Sequence, residues 1–340
     1  MDAALLNKDP HLAMGCRVCH QGNGDAQEKE EAHKGMVKRP SDDLGTCGKC
    51  HGKIAATYGK SLHYTTMGQR HGVIGRFSKK ETAIFDQQVF EQSCRSCHAS
   101  CGDCHVKSPM VSGICLGLIA GHKFVKKNEG KTCAFCHGGR VYPEYTGDYG
   151  GSTDVHYQKG MMCVECHKVI ELHGDGQPSM TKQDVKQRPQ CVGCHDPLKS
   201  DKVRTRVAHG VHKDKVSCQA CHAAGQYRDC QSCHLGAGAT SRPAFTLGKN
   251  PRNPKEVTTL RLIPTVRDTF AKAGITMENF DALPNYWNTP PHTIRKRTDR
   301  TRNCGACHAD RTNFLTGEML VKDGSKANGG LIVVPRSINP

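Results

Sequence analysis

Hydrophobic positions fall into few periodic runs in this chain. The clearest is Glu81-Thr-Ala-Ile-Phe-Asp-Gln-Gln-Val-Phe-Glu-Gln92, whose apolar residues recur with helical spacing. Thr265 to Ala273 is a second helical candidate, whereas the Gly-containing stretch Ser325 to Gly330 reads as loop. Residues 111–120 form a short apolar segment, and no segment approaches the roughly twenty apolar residues of a transmembrane helix. Pro251, Pro254, Pro264, Pro284, Pro290 and Pro291 punctuate residues 235–303, which read as an extended, wrapping segment. Gly and Pro interrupt most other intervals. The expected fold is mostly irregular coil with short α-helices and little β.

Composition sharpens this picture. A length of 340 residues would ordinarily suggest two domains. Aromatic residues make up only 5%, however, with one Trp (Trp287) and 36 Gly. So few large apolar side chains could hardly close two conventional cores. Something other than side chains has to fill the interior, and the 21 Cys and 20 His suggest what it is.

The pattern Cys-x-x-Cys-His occurs ten times. It runs Cys16, Cys19, His20; Cys47, Cys50, His51; Cys94, Cys97, His98; Cys101, Cys104, His105; and Cys133, Cys136, His137. It continues Cys163, Cys166, His167; Cys191, Cys194, His195; Cys218, Cys221, His222; Cys230, Cys233, His234; and Cys304, Cys307, His308. Chance would supply roughly a tenth of one match. This is the attachment signature of c-type haem: two thiols add to the vinyl groups on one porphyrin edge, and the adjacent His reaches the iron as proximal ligand. Zinc sites do not need a His after every second Cys. A thioredoxin-like motif would occur once, near a βαβ pattern, and disulfide scaffolds show no fixed triplet. Ten covalently attached haem c groups are expected, closely stacked as the core.

Ten histidines lie outside the motifs: His11, His33, His63, His71, His122, His156, His173, His209, His212 and His292. One motif His and one other His per haem uses every histidine, which predicts ten bis-histidine, six-coordinate irons. Met36, Met67, Met161 and Met162 lie near motifs but are read as packing at haem edges. Bis-His ligation gives lower potentials than Met/His ligation. Cys115 alone stands outside a motif and is read as a small buried hydrophobe, with an intermolecular disulfide as the alternative.

The formal charge of +16 would by itself suggest nucleic acid or membrane surfaces as partners. Ten oxidised haems contribute about −10 through their propionates, leaving about +6, or about −4 when fully reduced. Much of the Lys and Arg excess is therefore read as propionate pairing, and no nucleic-acid partner is expected. Its densest run, residues 295–302, reads as a solvated or propionate-pairing face, with a docking patch as the alternative. Covalent haem attachment takes place beyond the cytoplasmic membrane, so an exported periplasmic or extracellular protein is expected. Met1 to Met14 lacks the pattern of a signal peptide, so either the numbering starts after processing or the true start lies upstream.

Motif spacing divides the chain into a two-haem region 1–93, a seven-haem region 94–234 and a region 235–340 with one haem. Only Ala99 and Ser100 separate the third motif from the fourth, so two porphyrins must lie almost in contact there.

The array resembles the multihaem c-type cytochromes of metal-respiring and related anaerobic bacteria. The block Cys94 to His105 followed by Val-Lys-Ser-Pro, with Asp154-Val-His156 and Glu171-Leu-His-Gly-Asp-Gly176, looks like the octahaem tetrathionate-reductase-like group. That resemblance covers the middle of the chain and implies a haem arrangement. Catalytic members carry an open or lysine-bound iron, often in Cys-x-x-Cys-Lys, and no such motif occurs here. The expected function is therefore electron transfer, with no catalytic residue, to redox partner proteins or extracellular acceptors. Self-association into a cytochrome filament with axial His exchanged between subunits is one form of it, with His11 and His292 as candidates for exchange. The alternatives are a soluble periplasmic shuttle, a conduit inserted in an outer-membrane barrel, and a reductase of a small oxyanion, sulfur or nitrogen compound at one five-coordinate haem.

Overall fold

The computed structural model describes residues 9–108, 110–111, 114–115, 122–126, 130–148, 152–224, 244–263 and 265–335. The chain forms two compact units, each assembled from three separate stretches. One comprises Met1–Gly68, Cys97–Cys133 and His167–Arg188; the other comprises Gln69–Ser96, Ala134–Cys166 and Pro189–Pro340. Short helices dominate both and sheet is scarce, as the broken hydrophobic pattern predicts.

The longest helix of the first unit, Leu44–Tyr58, starts where the Asp43 carboxylate accepts hydrogen bonds from Gly45 N and Thr46 N. It bends at His51 (φ −107°, ψ 39°), the last residue of a motif. At its far end the buried Tyr58 donates its hydroxyl to Ala99 O at 2.6 Å, tying the helix to the double motif. Gly174 closes against the same helix with φ +78°, where a Cβ would come within 2.9 Å of Thr57 O. Only glycine meets both demands at low cost. Two antiparallel two-stranded ladders complete the unit: β1 (Val106–Lys107) with β4 (Lys123–Phe124), and β2 (Met110–Val111) with β3 (Ile114–Cys115). Cys115 is paired through its backbone with Met110, and its side chain lies outside the described residues.

The second unit contains the expected helix. Ser78 and Glu81 form a capping box at the start of Lys79–Phe85, and a π-helical turn, Asp86–Phe90, extends it. Phe85 packs on Phe77 and Phe270, with ring centres 4.9 and 5.5 Å apart. Buried Arg76 donates to Phe280 O at 2.6 Å and Pro284 O at 2.8 Å.

Residues 235–303 depart from the extended segment expected. They contain a three-stranded antiparallel sheet, β5 (Thr246–Asn250), β6 (Asn253–Leu262) and β7 (Tyr286–Asn288), in the order β5-β6-β7. Leu260, Leu262 and Tyr286 on it bury against Leu315 and Leu331, a small hydrocarbon core that the low aromatic content argued against. The β-branched run Val257-Thr-Thr259 leading into Leu260-Arg-Leu262 encodes β6, and the prolines lie at its start or outside it. Thr265–Ala273 holds only a 3₁₀ turn, Ala271–Ala273, ended by Gly274 at φ +72°. Ser325–Gly330, expected as loop, enters the 3₁₀ helix Lys326–Leu331, with the Ser325 hydroxyl accepting from Ala327 N. Among the described residues no helix is long and apolar enough to cross a membrane.

Candidate haem-binding site

The described motifs sit on or beside single helical turns, among them Arg17–His20, Cys101–His105, Gly130–His137, Cys163–Cys166, Cys218–His222 and Gly305–His308. One turn sets the two thiols and the imidazole on a common side, as attachment to one porphyrin edge requires. The motif Cys230, Cys233, His234 lies outside the described residues.

Six motif histidines face six of the others in pairs. Ring centres are 6.0 Å apart for His51 and His11, 6.0 Å for His20 and His122, and 5.9 Å for His105 and His173. In the second unit they are 6.0 Å apart for His195 and His156, 6.1 Å for His222 and His209, and 6.1 Å for His308 and His212. Two imidazoles on opposite sides of one metal ion, each about 2 Å from it, have ring centres about 6 Å apart.

Backbone or side-chain acceptors engage Nδ1 in every one of these pairs. His20 Nδ1 lies 2.8 Å from Val37 O, His105 Nδ1 2.7 Å from Val125 O and His222 Nδ1 3.0 Å from Arg295 O. His209 and His212 bond Thr205 O and Ala208 O of their own helix, Val203–His212, at 2.8 and 2.7 Å. His122 Nδ1 lies 2.9 Å from Ser108 Oγ. His11 and His156 use carboxylates instead: Asp9 Oδ1 at 2.8 Å and Asp154 Oδ1 at 2.9 Å. A donor at Nδ1 leaves the Nε2 lone pair for a metal. Burial first, and then the facing imidazole, hold His122 and His173 below the ordinary histidine pKa, in the neutral form that ligates.

The surface supports the same group. Val18, Phe135 and Val192, inside three motifs, are 47, 89 and 67% exposed, and Val207 and Val211 beside His209 and His212 are also open. Val18, Val192, Val207 and Val211 lie beside paired histidines and Phe135 beside His137, and exposed apolar side chains there suit the face of a porphyrin. Among the described residues no cluster of three or more His, Cys, Asp or Glu side chains is arranged for a bare metal ion. The residues present therefore fit haem.

The other predicted ligands are distributed more widely. His33 is exposed with Nδ1 2.7 Å from Lys29 O, and His71 is exposed on the helix Met67–Ile74. His63 lies on Leu62–Thr65 next to Tyr64, whose ring meets that of His98 edge-on at 5.7 Å. His167 Nδ1 lies 2.9 Å from Glu171 Oε2. His292 N donates to buried Glu144 Oε2 at 3.0 Å, and Glu144 is held by Arg140 at 2.7 Å. His11, a candidate for exchange between subunits, faces His51 of its own chain. Sequence reasoning did not pick out the supporting acceptors Asp9, Asp154 and Glu171 as functional, although two of them share the signal Asp-x-His.

Motif thiols also meet one another. Cys47 hydrogen-bonds with Cys101, and Cys191 with Cys218. Burial, and then nearby Cys307, push the Cys221 thiol up to about 11.

Residues 150–223 match the family described as cytochrome c7 and related cytochrome c. This span is a multihaem c-type cytochrome domain, with covalently bound c-type haem and electron transfer as its general role. It contains three motifs together with His156, His173, His209 and His212, and both resemblance motifs at Asp154 and Glu171. No curated protein and no solved structure matches the chain.

Proposed function

We propose that this chain is an electron conduit of ten covalently attached haem c groups, each iron held between two histidines, working in the periplasm or outside the cell. The observation that carries the reading is the set of six histidine pairs at 5.9–6.1 Å, each joining a motif His to a non-motif His. When bound, haem c supplies a one-electron ferric/ferrous couple. The protein's part is to close both axial positions, to fix each imidazole through Nδ1 and to bring neighbouring attachment edges together. The thiol contacts support that last role, joining the second motif to the fourth and the seventh to the eighth. Cys307 lies near enough to raise the Cys221 thiol, which sets the eighth motif near the tenth.

His156→Ala tests the axial reading. It should convert one low-spin haem per chain into a high-spin centre that binds CO when reduced, and an unchanged spectrum would remove the assignment. The unsubstituted protein should show no high-spin ferric signal and no CO uptake. Rapid CO binding would instead favour the reductase of a small oxyanion, sulfur or nitrogen compound.

The proposed electron acceptors are redox partner proteins or extracellular acceptors, and the proposed assembly is a filament of this chain. Electron microscopy of the native preparation should show filaments. Monodisperse single chains at every concentration would sink the filament and leave a soluble shuttle.

A further inference from the structure

The imidazoles differ in what backs them. His11 and His156 are each the second residue of a short helix, Pro10–Ala13 and Val155–Gln158, capped by the aspartate two residues before the histidine. Asp9 Oδ1 accepts from His11 N at 2.9 Å and lies 2.8 Å from His11 Nδ1. Asp154 Oδ1 accepts from His156 N at 2.7 Å and lies 2.9 Å from His156 Nδ1. Asp154 is buried, and its second oxygen accepts from Ile294 N at 2.8 Å, so the carboxylate is held on both sides.

Their neighbours across the thiol contacts are backed by neutral carbonyls. Cys47, in the motif of His51 and hence of His11, meets Cys101. The His105 of that fourth motif bonds Val125 O. Cys191, in the motif of His195 and hence of His156, meets Cys218. There His222 and its partner His209 bond the carbonyls of Arg295 and Thr205. Each unit thus repeats one arrangement: a pair with a carboxylate-backed imidazole beside a pair with a carbonyl-backed one, meeting at their first cysteines.

A carboxylate draws more on the Nδ1 proton than a carbonyl does, making Nε2 a stronger donor to the iron. A stronger donor favours the ferric over the ferrous state, and hydrogen bonding behind axial ligands is one of the levers a protein has on haem potential. We infer that Asp9 and Asp154 are potential-setting residues that make the His11–His51 and His156–His195 sites the low-potential members of two matched pairs, so that each unit contains a built-in downhill step toward its carbonyl-backed neighbour. This rests on the axial pairing proposed above.

The test is a potentiometric titration of the fully haem-loaded protein, followed by low-temperature EPR and near-infrared magnetic circular dichroism. Asp154→Asn keeps an acceptor oxygen near His156 but removes the charge. It should raise the midpoint of one haem, changing its ferric/ferrous ratio at fixed potential about tenfold, or about 59 mV for one electron. The EPR signal of that haem should move toward weaker axial donation while remaining low-spin. Asp9→Asn should do the same to a different haem. It is the second variant because Asp154→Asn sets an amide against Ile294 N–H and is the more apt to misfold. If both variants load ten haems and every midpoint and EPR signal stays put, the potential-setting role is overturned. His156→Ala separates that failure from failure of the pairing. A new high-spin centre keeps the axial assignment standing, whereas a spectrum still wholly low-spin overturns the pairing and the inference with it.

Discussion

A single carboxylate shows how hydrogen bonding outweighs burial in this chain. Burial alone would raise the Glu81 carboxyl from its ordinary 4.5. The backbone N–H groups of Ser78, Glu278 and Thr276 and the Thr276 hydroxyl instead hold it at about 2. With its folded pKa below the unfolded one, Glu81 contributes stability that is present above pH 4.5 and lost as pH falls toward 2. The shift corresponds to about 3 kcal/mol. Denaturant unfolding of Glu81→Gln at pH 7 should show a loss of that order, and the gap to the unsubstituted protein should close as pH approaches 2. Gly174 works by shape instead. At φ +78° and against Thr57 O, Gly174→Ala should cost about 1–3 kcal/mol and displace the adjacent His173. A partial high-spin signal accompanying the drop in melting temperature would check this, because a purely structural strain elsewhere would leave the spectrum alone.

Among the elements, the sheet stands on ordinary hydrophobic packing. Leu260 on β6 is fully buried against Leu315, Tyr286 and Leu331. Leu260→Ala should cost about 2–5 kcal/mol in thermal or chemical unfolding, with the low-spin haem spectrum unchanged. Local pattern made some elements legible and hid others. The run Glu81 to Gln92 showed its helix because its apolar residues recur with helical spacing, and the Ser78–Glu81 capping box fixes its start. The strand at 253–262 was overshadowed by surrounding prolines, although its β-branched Val257, Thr258 and Thr259 were present. The motif cysteines and histidines were legible because the chemistry of attachment is local. Their partners were not: His20 meets His122 and His212 meets His308, separations at which one sequence carries no pairing signal. Asp9 and Asp154 lay in plain view two residues before histidines. Their meaning needed the distance between Oδ1 and Nδ1.

At the scale of the whole molecule, large buried apolar side chains gather in the second unit, in the sheet core and around Phe77, Phe85, Ile275, Met277 and Phe280. On the proposed haem attachment, the rest of the chain is held by what its cysteines and histidines bind. Expressed without haem attachment, the chain should therefore be digested by a low dose of protease except for fragments from that packed part. Mass spectrometry of the fragments checks this, and protection of residues 10–60 in the unloaded chain would contradict it. One helix carries the dependence further. Val203–His212 presents both His209 and His212, each tied back to a carbonyl one turn earlier, to motif histidines 13 and 96 residues away from them (222 − 209 and 308 − 212). On the axial pairing proposed above, completing either site requires this helix to be wound, and once wound it is aligned for the other. The eighth and tenth motifs should therefore mature as a cooperative pair. An attachment defect at Cys304 would be expected to loosen the ligand of a haem fixed more than eighty residues upstream (304 − 221 = 83).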